Sequence, residues 1–315
     1  VIKVYQVGID VGGTNIKIGL IDTELQIIRK TSIPFPRLNG EEVAIILTRA
    51  VRGLLDECGL TEEQVHHIGV VVPGSIDPTG GVIIDAHNLG FHQVPFRELL
   101  QKQFASTPIY LANDADGAAL AELGCGAFVE HKTAVLLTLG TGVGGGVILG
   151  GKLFSGGCRR GTELGHMQIV AGGELCTCGV RGCIEAYCSA TALIRDAIRA
   201  MKNHPDSKLA LASKGSLEEI DAKFIIDCAK DGDPVAVTIF DNYVNHLADA
   251  CVSIIHILDP EVIAIGGGVS YTGDFLFDSL KKKVSDKCFF SSHGKIVPAV
   301  MRNDAGIIGA AMLGQ

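Results

Sequence analysis

The same short pattern occurs twice in this chain: an apolar strand, a polar glycine turn and a second apolar strand. The first copy, Ile9-Asp10-Val11-Gly12-Gly13-Thr14, leads into the run Ile16–Ile21, and the second, Leu137-Thr138-Leu139-Gly140-Thr141-Gly142, leads into Gly146–Leu149. Gly12 and Gly140 are 128 positions apart. The recurrence predicts two related units, and a length of 315 residues suits two domains of about 150 residues each.

Strand-like and helical patterns alternate along the whole chain. Runs bounded by glycine or proline, such as His67–Val72 and Val262–Ile265, predict strands, while longer stretches with helical patterns, such as Asp114–Gly126 and Pro234–Leu258, predict helices. This alternation is typical of an α/β fold with parallel or mixed sheets. No linker rich in proline and serine separates the halves, and the boundary between them is expected near residues 114–120.

Composition excludes several classes of protein. Glycine is abundant, at 40 of 315 residues against an average of about 7%, but it follows no three-residue period, which excludes a collagen-like chain. The net charge of −8 argues against a nucleic-acid partner, because such binding depends on neutralising phosphates. The uncharged stretch between Lys132 and Lys152 is too rich in glycine to predict a membrane span. No cationic and apolar leader opens the sequence, so a cytoplasmic protein with reduced thiols is expected.

Two apparent nucleotide-binding motifs do not meet the requirements of their class. The segment Gly146–Lys152 resembles a Walker loop, but Leu153 stands where a magnesium-binding Ser or Thr is needed, so a hairpin turn at Gly150-Gly151 is the better interpretation. The segment Gly140–Gly144 lacks the dinucleotide-binding spacing, and no helix follows it.

Three glycine turns remain as candidate phosphate-binding segments, at Asp10–Thr14, Gly140–Gly146 and Gly266–Gly268. Backbone N–H groups in such turns can surround phosphate oxygens. Each turn taken singly could equally be a tight hairpin without a ligand. Taken together, and with Asp10 able to hold hydrated Mg²⁺, they favour a nucleotide-binding cleft between two related domains.

Asn113-Asp114 follows an apolar run and precedes a predicted helix. Either residue could simply cap that helix. An aspartate at a strand end is also a suitable general base for a sugar hydroxyl, and the asparagine before it could orient the same substrate. Asp116 is better explained as a first-turn residue that interacts with the helix dipole.

The region 163–185 contains a set of residues with metal-ligand spacing. His166, Cys176, Cys178 and Cys183 form a Cys₃His group on short tethers, the ligand type and number of a tetrahedral structural zinc site. Cys188 could replace one of these ligands, although a predicted helix near Glu185 would carry it away. A site with four protein ligands leaves no position open for metal chemistry, so the predicted role of Zn²⁺ is structural.

These motifs together resemble the ROK family of sugar kinases, the group that includes bacterial glucokinases. The resemblance runs through nearly the whole chain. The segments that carry it are Gly8-Ile-Asp10-Val-Gly12-Gly13-Thr14-Asn-Ile-Lys17, Pro73-Gly74-Ser75-Ile-Asp77, Asn88-Leu89, Ala112-Asn113-Asp114-Ala115, Gly140-Thr141-Gly142-Val-Gly144, Glu163-Leu-Gly165-His166, Cys176-Thr-Cys178-Gly-Val-Arg-Gly-Cys183-Ile-Glu185, Leu258-Asp259-Pro260, Ile265-Gly266-Gly267-Gly268 and Ala305-Gly306-Ile-Ile-Gly309-Ala310-Ala311.

The resemblance implies an actin-like, ribonuclease-H-like pair of domains that close on ATP and a hexose. One domain would comprise residues 1–116 with a returning helix at 303–315, and the other residues 117–302 with the zinc loop. The implied reaction transfers the γ-phosphoryl group of ATP to a sugar hydroxyl, usually the 6-hydroxyl. Dimers are usual in the family, so a homodimer is expected.

The resemblance also assigns roles to individual residues. Asp114 would be the base, and His166 would bind zinc through one ring nitrogen and the sugar through the other. The remaining sugar-binding residues would be Asn88, Asn113, Glu163 and Glu185. Asp10 would assist Mg²⁺, and the residues near ATP would include Gly12, Gly13, Thr14, Lys17, Gly140, Thr141, Gly142, Gly267 and Gly268.

Glucose is the expected substrate, with other sugars as alternatives. The chain has no tryptophan, and Leu89, Gly90 and Phe91 follow Asn88 where many glucokinase-like members have an aromatic stretch with tryptophan. Kinases for N-acetylmannosamine, allose or fructose are therefore the first alternatives, and a non-catalytic sugar sensor is another. A repressor of the same family would need a DNA-binding segment before the Asp10 turn, and the acidic net charge also argues against it.

Overall fold

The computed structural model describes residues 4–213 and 220–314. Its strands are β1 (Tyr5–Val11), β2 (Asn15–Asp22), β3 (Ile27–Pro34), β4 (Val65–Val72), β5 (Ser75–Ile76), β6 (Ile83–Ala86), β7 (Phe91–Val94), β8 (Ile109–Asn113), β9 (Ala134–Leu139), β10 (Val143–Leu149), β11 (Lys152–Leu153), β12 (Val262–Gly266) and β13 (Lys295–Pro298). Its α-helices are α1 (Gly40–Glu57), α2 (Phe96–Gln101), α3 (Asp114–Cys125), α4 (Glu185–Cys188), α5 (Ala190–Asn203), α6 (Lys208–Ala212), α7 (Ala222–Lys230), α8 (Pro234–Leu258), α9 (Asp274–Lys287) and α10 (Ala305–Met312).

Two five-stranded sheets share one topology. The first has the order β3-β2-β1-β4-β8 and the second the order β11-β10-β9-β12-β13, so each set of strands is arranged third, second, first, fourth, fifth. In both sheets the first strand pairs in parallel with the fourth and the fourth with the fifth, while the second and third are antiparallel. The mixed α/β fold and the duplication expected from the repeated glycine turn are thus confirmed.

The chain divides into two compact units. The first contains residues up to 132 together with 146–162 and the segment from 300 onward, and the second contains 133–145 and 163–299. The expected boundary at residues 116 and 117 falls inside α3, which belongs entirely to the first unit. In the first unit α3 packs against α10, and a Cβ atom on Gly309 of α10 would strike the carbonyl of Gly117. Small residues at this contact keep α3 with the C-terminal helix.

The C-terminal helix also packs very closely on the first sheet. A Cβ atom on Gly8 of β1 would collide with the Ile307 carbonyl oxygen, and one on Gly69 of β4 would collide with that of Ala310. Strand glycines therefore allow the α10 backbone to approach the sheet directly. The helix expected at 303–315 spans Ala305–Met312 in the structure and is preceded by a 3₁₀ turn at 302–304; Gln315 lies outside the described residues.

Local sequence signals account for several element boundaries. Asn39 caps α1 with a capping box, in which Asn39 Oδ1 accepts from the Glu42 amide at 3.0 Å and Glu42 Oε2 accepts from the Asn39 amide at 3.3 Å. Gly150 and Gly151 have φ values of 61° and 74° and form the hairpin turn that joins β10 to β11, as expected. Within the described ranges, no helix combines the length and apolar character that crossing a bilayer requires.

Candidate active site

A carboxylate and a lysine meet at the end of β1 in the first unit. Asp10 lies opposite Lys17 in the antiparallel register, with Oδ2 and Nζ 3.6 Å apart. Lys17 Nζ also donates a hydrogen bond of 3.1 Å to the Asn303 carbonyl. Burial raises the pKa of Asp10, and the charge of Lys17 opposes this shift because it favours the carboxylate. The ionisation of Asp10 at this strand end therefore depends on both its burial and the charge of Lys17.

A backbone hydrogen bond closes the glycine turn that follows β1, and the turn lies next to Asn88. The Gly12 amide donates to the Asn15 carbonyl at 3.0 Å. Asn88 lies in a single 3₁₀ turn, 87–89, and a Cβ atom on Gly13 would be 3.2 Å from its carbonyl oxygen. Thr14 and Asn88 are both exposed. Two of the residues expected to bind different substrates are thus close together in this unit.

Asn113 and Asp114 lie at the junction of β8 and α3. Asn113 is the N-cap of α3, since its Oδ1 accepts from the Ala115 amide at 2.8 Å, and its Nδ2 donates to the Gly74 carbonyl at 2.8 Å. Asp114 is exposed at the first helical position, with Oδ1 2.9 Å from the same amide. The capping interpretation is therefore correct for Asn113. Asp114 stands at the positive end of the helix dipole, which stabilises a carboxylate.

In the second unit, the four predicted metal ligands converge. The ligand atoms of His166, Cys176, Cys178 and Cys183 all lie within 4.8 Å of one another. Cys176 Sγ is 3.6 Å from His166 Nδ1, and the Sγ atoms of Cys178 and Cys183 are 3.7 Å apart. A tetrahedral zinc with Zn–S bonds of about 2.3 Å has ligand separations of about 3.8 Å, so the residues fit this ion. Cys188 is buried at the end of α4 and does not belong to the group.

The loop that carries the cysteines is a tight turn. The Cys176 amide donates to the Val180 carbonyl at 2.8 Å, and the Gly179 amide donates to the Cys176 carbonyl at 3.0 Å. Gly179 has φ of 84°, which favours glycine. Burial raises the pKa of the Cys183 thiol to about 12, whereas a hydrogen bond from the Val180 backbone lowers that of Cys178.

Glu185 connects this loop to the glycine turn of the second unit. It is the first residue of α4, and its Oε2 accepts from the Val143 amide at 3.1 Å. Its Oε1 accepts from Thr177 Oγ1 at 2.5 Å and from Cys176 Sγ at 3.4 Å. Thr177 is the residue that the sequence interpretation missed. A hydroxyl residue between two cysteines of the candidate metal site was the available signal.

The remaining predicted residues of the second unit lie in the segment 163–166 and in the turns that follow β9 and β12. The amide of His166 donates to the Glu163 carbonyl at 3.0 Å, and Glu163 is exposed. Gly140 closes its turn by donating to the Gly142 carbonyl at 3.0 Å. Gly267, with φ of 82°, is in such close contact with the backbone of Leu139 that a Cβ atom there would collide. The turns at 140–142 and 267–268 therefore adjoin.

The predicted site residues fall into two sets, one in each unit. The first unit holds Asp10, Gly12, Gly13, Thr14, Lys17, Asn88, Asn113 and Asp114. The second holds Gly140, Thr141, Gly142, Glu163, His166, the three cysteines, Glu185, Gly267 and Gly268. Each set combines a glycine turn with exposed polar side chains.

Comparison with known proteins gives consistent matches over the full length. The model of the ROK family matches residues 6–315. A glucokinase of Thermotoga maritima is 38% identical over 314 residues, which is 99% of this chain and 97% of that protein.

Solved structures agree with the sequence matches. A ROK family glucokinase from Streptomyces griseus, solved with glucose and AMPPNP, is 31% identical and superimposes with a TM-score of 0.81 over 98% of both chains. A ROK hexokinase from Thermus thermophilus is also 31% identical, with a TM-score of 0.84 over 98% of this chain and 97% of that chain.

Proposed function

The chain belongs to the ROK family, and from that membership we propose that it is a glucokinase, which transfers the γ-phosphoryl group of ATP to the 6-hydroxyl of glucose. The observation that carries the proposal is the full-length identity of 38% to a glucokinase, in a chain that presents Asp114 exposed at a strand end. ATP-dependent phosphorylation of a hexose follows from the family relationship. The choice of glucose rests on the names of the relatives.

Asp114 is the proposed general base. Its carboxylate is exposed, and the start of α3 stabilises its charge, so it can accept the proton from the attacking sugar hydroxyl. Asn113 holds the strand end in place through its hydrogen bonds to the Ala115 amide and the Gly74 carbonyl. Phosphoryl transfer requires mainly positioning and charge neutralisation, so a base at a capped helix start suits this reaction.

The proposed sugar-binding residues are Asn88, Asn113, Glu163, His166 and Glu185. In His166, Nδ1 faces Cys176, which leaves Nε2 as the nitrogen for a sugar hydroxyl. Zn²⁺ on the Cys₃His group would hold the imidazole in one orientation and one tautomer. Carboxylates and amides that accept or donate paired hydrogen bonds distinguish a polyol from an apolar molecule.

The glycine turns of each unit are the proposed phosphate-binding segments. The turns are formed by Gly12, Gly13 and Thr14 in one unit and by Gly140, Thr141 and Gly142, with Gly267 and Gly268, in the other. Lys17 would contribute positive charge, and Asp10 would hold Mg²⁺ through water. Mg²⁺ would neutralise charge that develops on the phosphate oxygens.

A coupled ADP-release assay across a panel of sugars tests the proposal. The panel contains glucose, fructose, allose, N-acetylmannosamine and 6-deoxyglucose. We expect kcat/KM for glucose to exceed that of every other sugar by at least about tenfold, the discrimination that one or two lost hydrogen bonds produce. 6-Deoxyglucose should inhibit competitively without turnover. A higher kcat/KM for another sugar would reassign the substrate, and absence of ADP release with all of them would favour a sugar sensor.

The zinc site and a homodimer are further parts of the proposal. Metal analysis of the purified protein should give about one equivalent of zinc per chain. Sedimentation equilibrium at micromolar concentration should give twice the chain mass. A purified protein without zinc would refute the zinc site, and a monomer would refute the homodimer. Neither result would affect the kinase assignment.

A further inference from the structure

Both carboxylate oxygens of Glu185 are held by other groups of the second unit. Oε2 accepts from the Val143 amide at 3.1 Å, and Oε1 accepts from the Thr177 hydroxyl at 2.5 Å. The Cys176 sulfur lies 3.4 Å from Oε1, but as a zinc ligand it would be a thiolate with no proton to donate. The Thr177 hydroxyl is therefore the main side-chain contact that sets the orientation of this carboxylate.

A glutamate side chain needs such contacts in order to present one geometry. It has several rotatable bonds, and ordering them on ligand binding weakens affinity by up to about tenfold when the side chain is free beforehand. Glu185 is only half-buried, so packing alone does not restrict it. The Val143 amide holds one oxygen, but rotation about that single hydrogen bond remains until the Thr177 hydroxyl holds the other.

We propose that Thr177 is a positioning residue for sugar binding, and that its hydroxyl orients the Glu185 carboxylate toward the hydroxyls of the hexose. The proposal rests on the proposed function, because it takes Glu185 as a sugar-binding residue. Thr177 does not itself touch the sugar in this assignment. It acts through Glu185, and its effect is on the affinity for the sugar.

The position of Thr177 on the Cys loop gives the loop a second role. The turn that brings Cys176 and Cys178 to the metal-binding group also brings the hydroxyl between them to Glu185. The loop thereby orients two proposed sugar-binding residues at once. Its cysteines lie against His166, and its threonine holds Glu185.

The test compares Thr177→Val, which keeps the shape and removes the hydroxyl, with Thr177→Ser, which restores the hydroxyl. Steady-state kinetics are measured for glucose and ATP on the zinc-loaded protein, together with the glucose Kd by calorimetry and the zinc content. We expect Thr177→Val to raise the KM and Kd of glucose by up to about tenfold, the affinity cost of ordering a glutamate side chain that is no longer held beforehand. The kcat, the KM for ATP and the zinc content should stay within about twofold, because the change removes uniform binding of the sugar.

Two comparisons separate positioning from a general structural role. Thr177→Ser should recover glucose affinity to within about threefold of wild type, since serine offers the same donor. Thr238→Val is the matched control, because Thr238 is an exposed threonine of the same unit whose hydroxyl donates to the Pro234 carbonyl at 2.8 Å on α8. It should leave the glucose KM unchanged.

Other results would overturn the inference. An unchanged glucose Kd in Thr177→Val, failure of Thr177→Ser to restore it, or a parallel loss of zinc, kcat and ATP affinity would each refute positioning. A wild-type protein that binds glucose without releasing ADP would refute the kinase proposal alone, because the Kd comparison still tests Thr177. A wild-type protein that does not bind glucose would refute both.

Discussion

Replacement of Asp114 by asparagine is expected to abolish nearly all turnover while leaving the fold in place. Asp114 is exposed, and its Oδ1 accepts from the Ala115 amide at 2.9 Å. An asparagine oxygen can accept the same hydrogen bond, and Asn113 still caps α3. The main structural loss is one negative charge at a helix N-terminus, which is worth about 0.3–1 kcal/mol.

The catalytic loss should be much larger than the loss of stability. An amide cannot take the proton from the attacking hydroxyl, and a positioned general base contributes about 10²–10⁴-fold. That factor corresponds to an increase of about 2.7–5.4 kcal/mol in the activation barrier. In the coupled ADP-release assay at saturating glucose and ATP, kcat of Asp114→Asn should fall by this factor. The glucose Kd should change less than about threefold, since the amide still forms hydrogen bonds.

Glu41→Gln is the matched control for the charge at the helix start. Glu41 is an exposed acidic residue in the first turn of α1, so its replacement removes a comparable interaction with the helix dipole. Its kcat should equal that of wild type. If Asp114→Asn is folded and retains more than about a tenth of the wild-type kcat, Asp114 is not the general base.

Three further predictions concern metal, pH and packing. Removing zinc with a chelator should lower the Tm and the glucose affinity together, and readdition should restore both; an unchanged Tm would count against a structural metal. Burial lowers the pKa of His67 below 6.5, so the unfolded state binds a proton more readily than the folded state. The free energy of unfolding should therefore fall as the pH drops below about 6.5. Urea titrations at pH 7.5 and 5.5 should show this loss in wild type and a smaller one in His67→Gln, and equal losses in both proteins would exclude His67 as the cause. Gly69→Ala should lower the free energy of unfolding by about 1–3 kcal/mol or more, because the new Cβ would collide with the Ala310 carbonyl. Gly53→Ala, on the exposed face of α1, should raise it by up to about 1 kcal/mol, because alanine favours a helix and no atom lies in its way. Urea midpoints of the two variants that move in the same direction would contradict this reasoning.

Much of the fold was predictable because its signals are local. Helix α8 has the bounds that its pattern predicts, Pro234–Leu258, since proline at the first position starts a helix and the apolar spacing continues to its end. The hairpin at Gly150-Gly151 was predictable for the same reason, because only glycine readily adopts the positive φ that the turn requires. The repeated glycine turn predicted two related units, and the two five-stranded sheets do share one topology.

Other features depend on contacts between distant parts of the chain. The predicted boundary near residues 114–120 did not anticipate that α3 packs with α10, because that contact joins residues 117 and 309 through glycines that have no local signal. Glu185 was predicted as a sugar-binding residue, but its partner Val143 is 42 positions away. Spacing along the sequence cannot show which of two carboxylate oxygens meets which donor.

Sequence alone determined the residue types and their local geometry: the paired glycine turns, the Cys₃His group and Asn113-Asp114 at a strand end. These follow from backbone preferences and ligand chemistry, which act over a few residues. The tertiary structure decided which of these residues meet. It placed the ligand atoms of the four candidate metal-binding residues within 4.8 Å of one another, Asn88 beside Gly13, and the Thr177 hydroxyl against Glu185. The reason is physical: packing of small residues and hydrogen bonds between separate segments set the positions of side chains, and neither is encoded in one stretch of the chain.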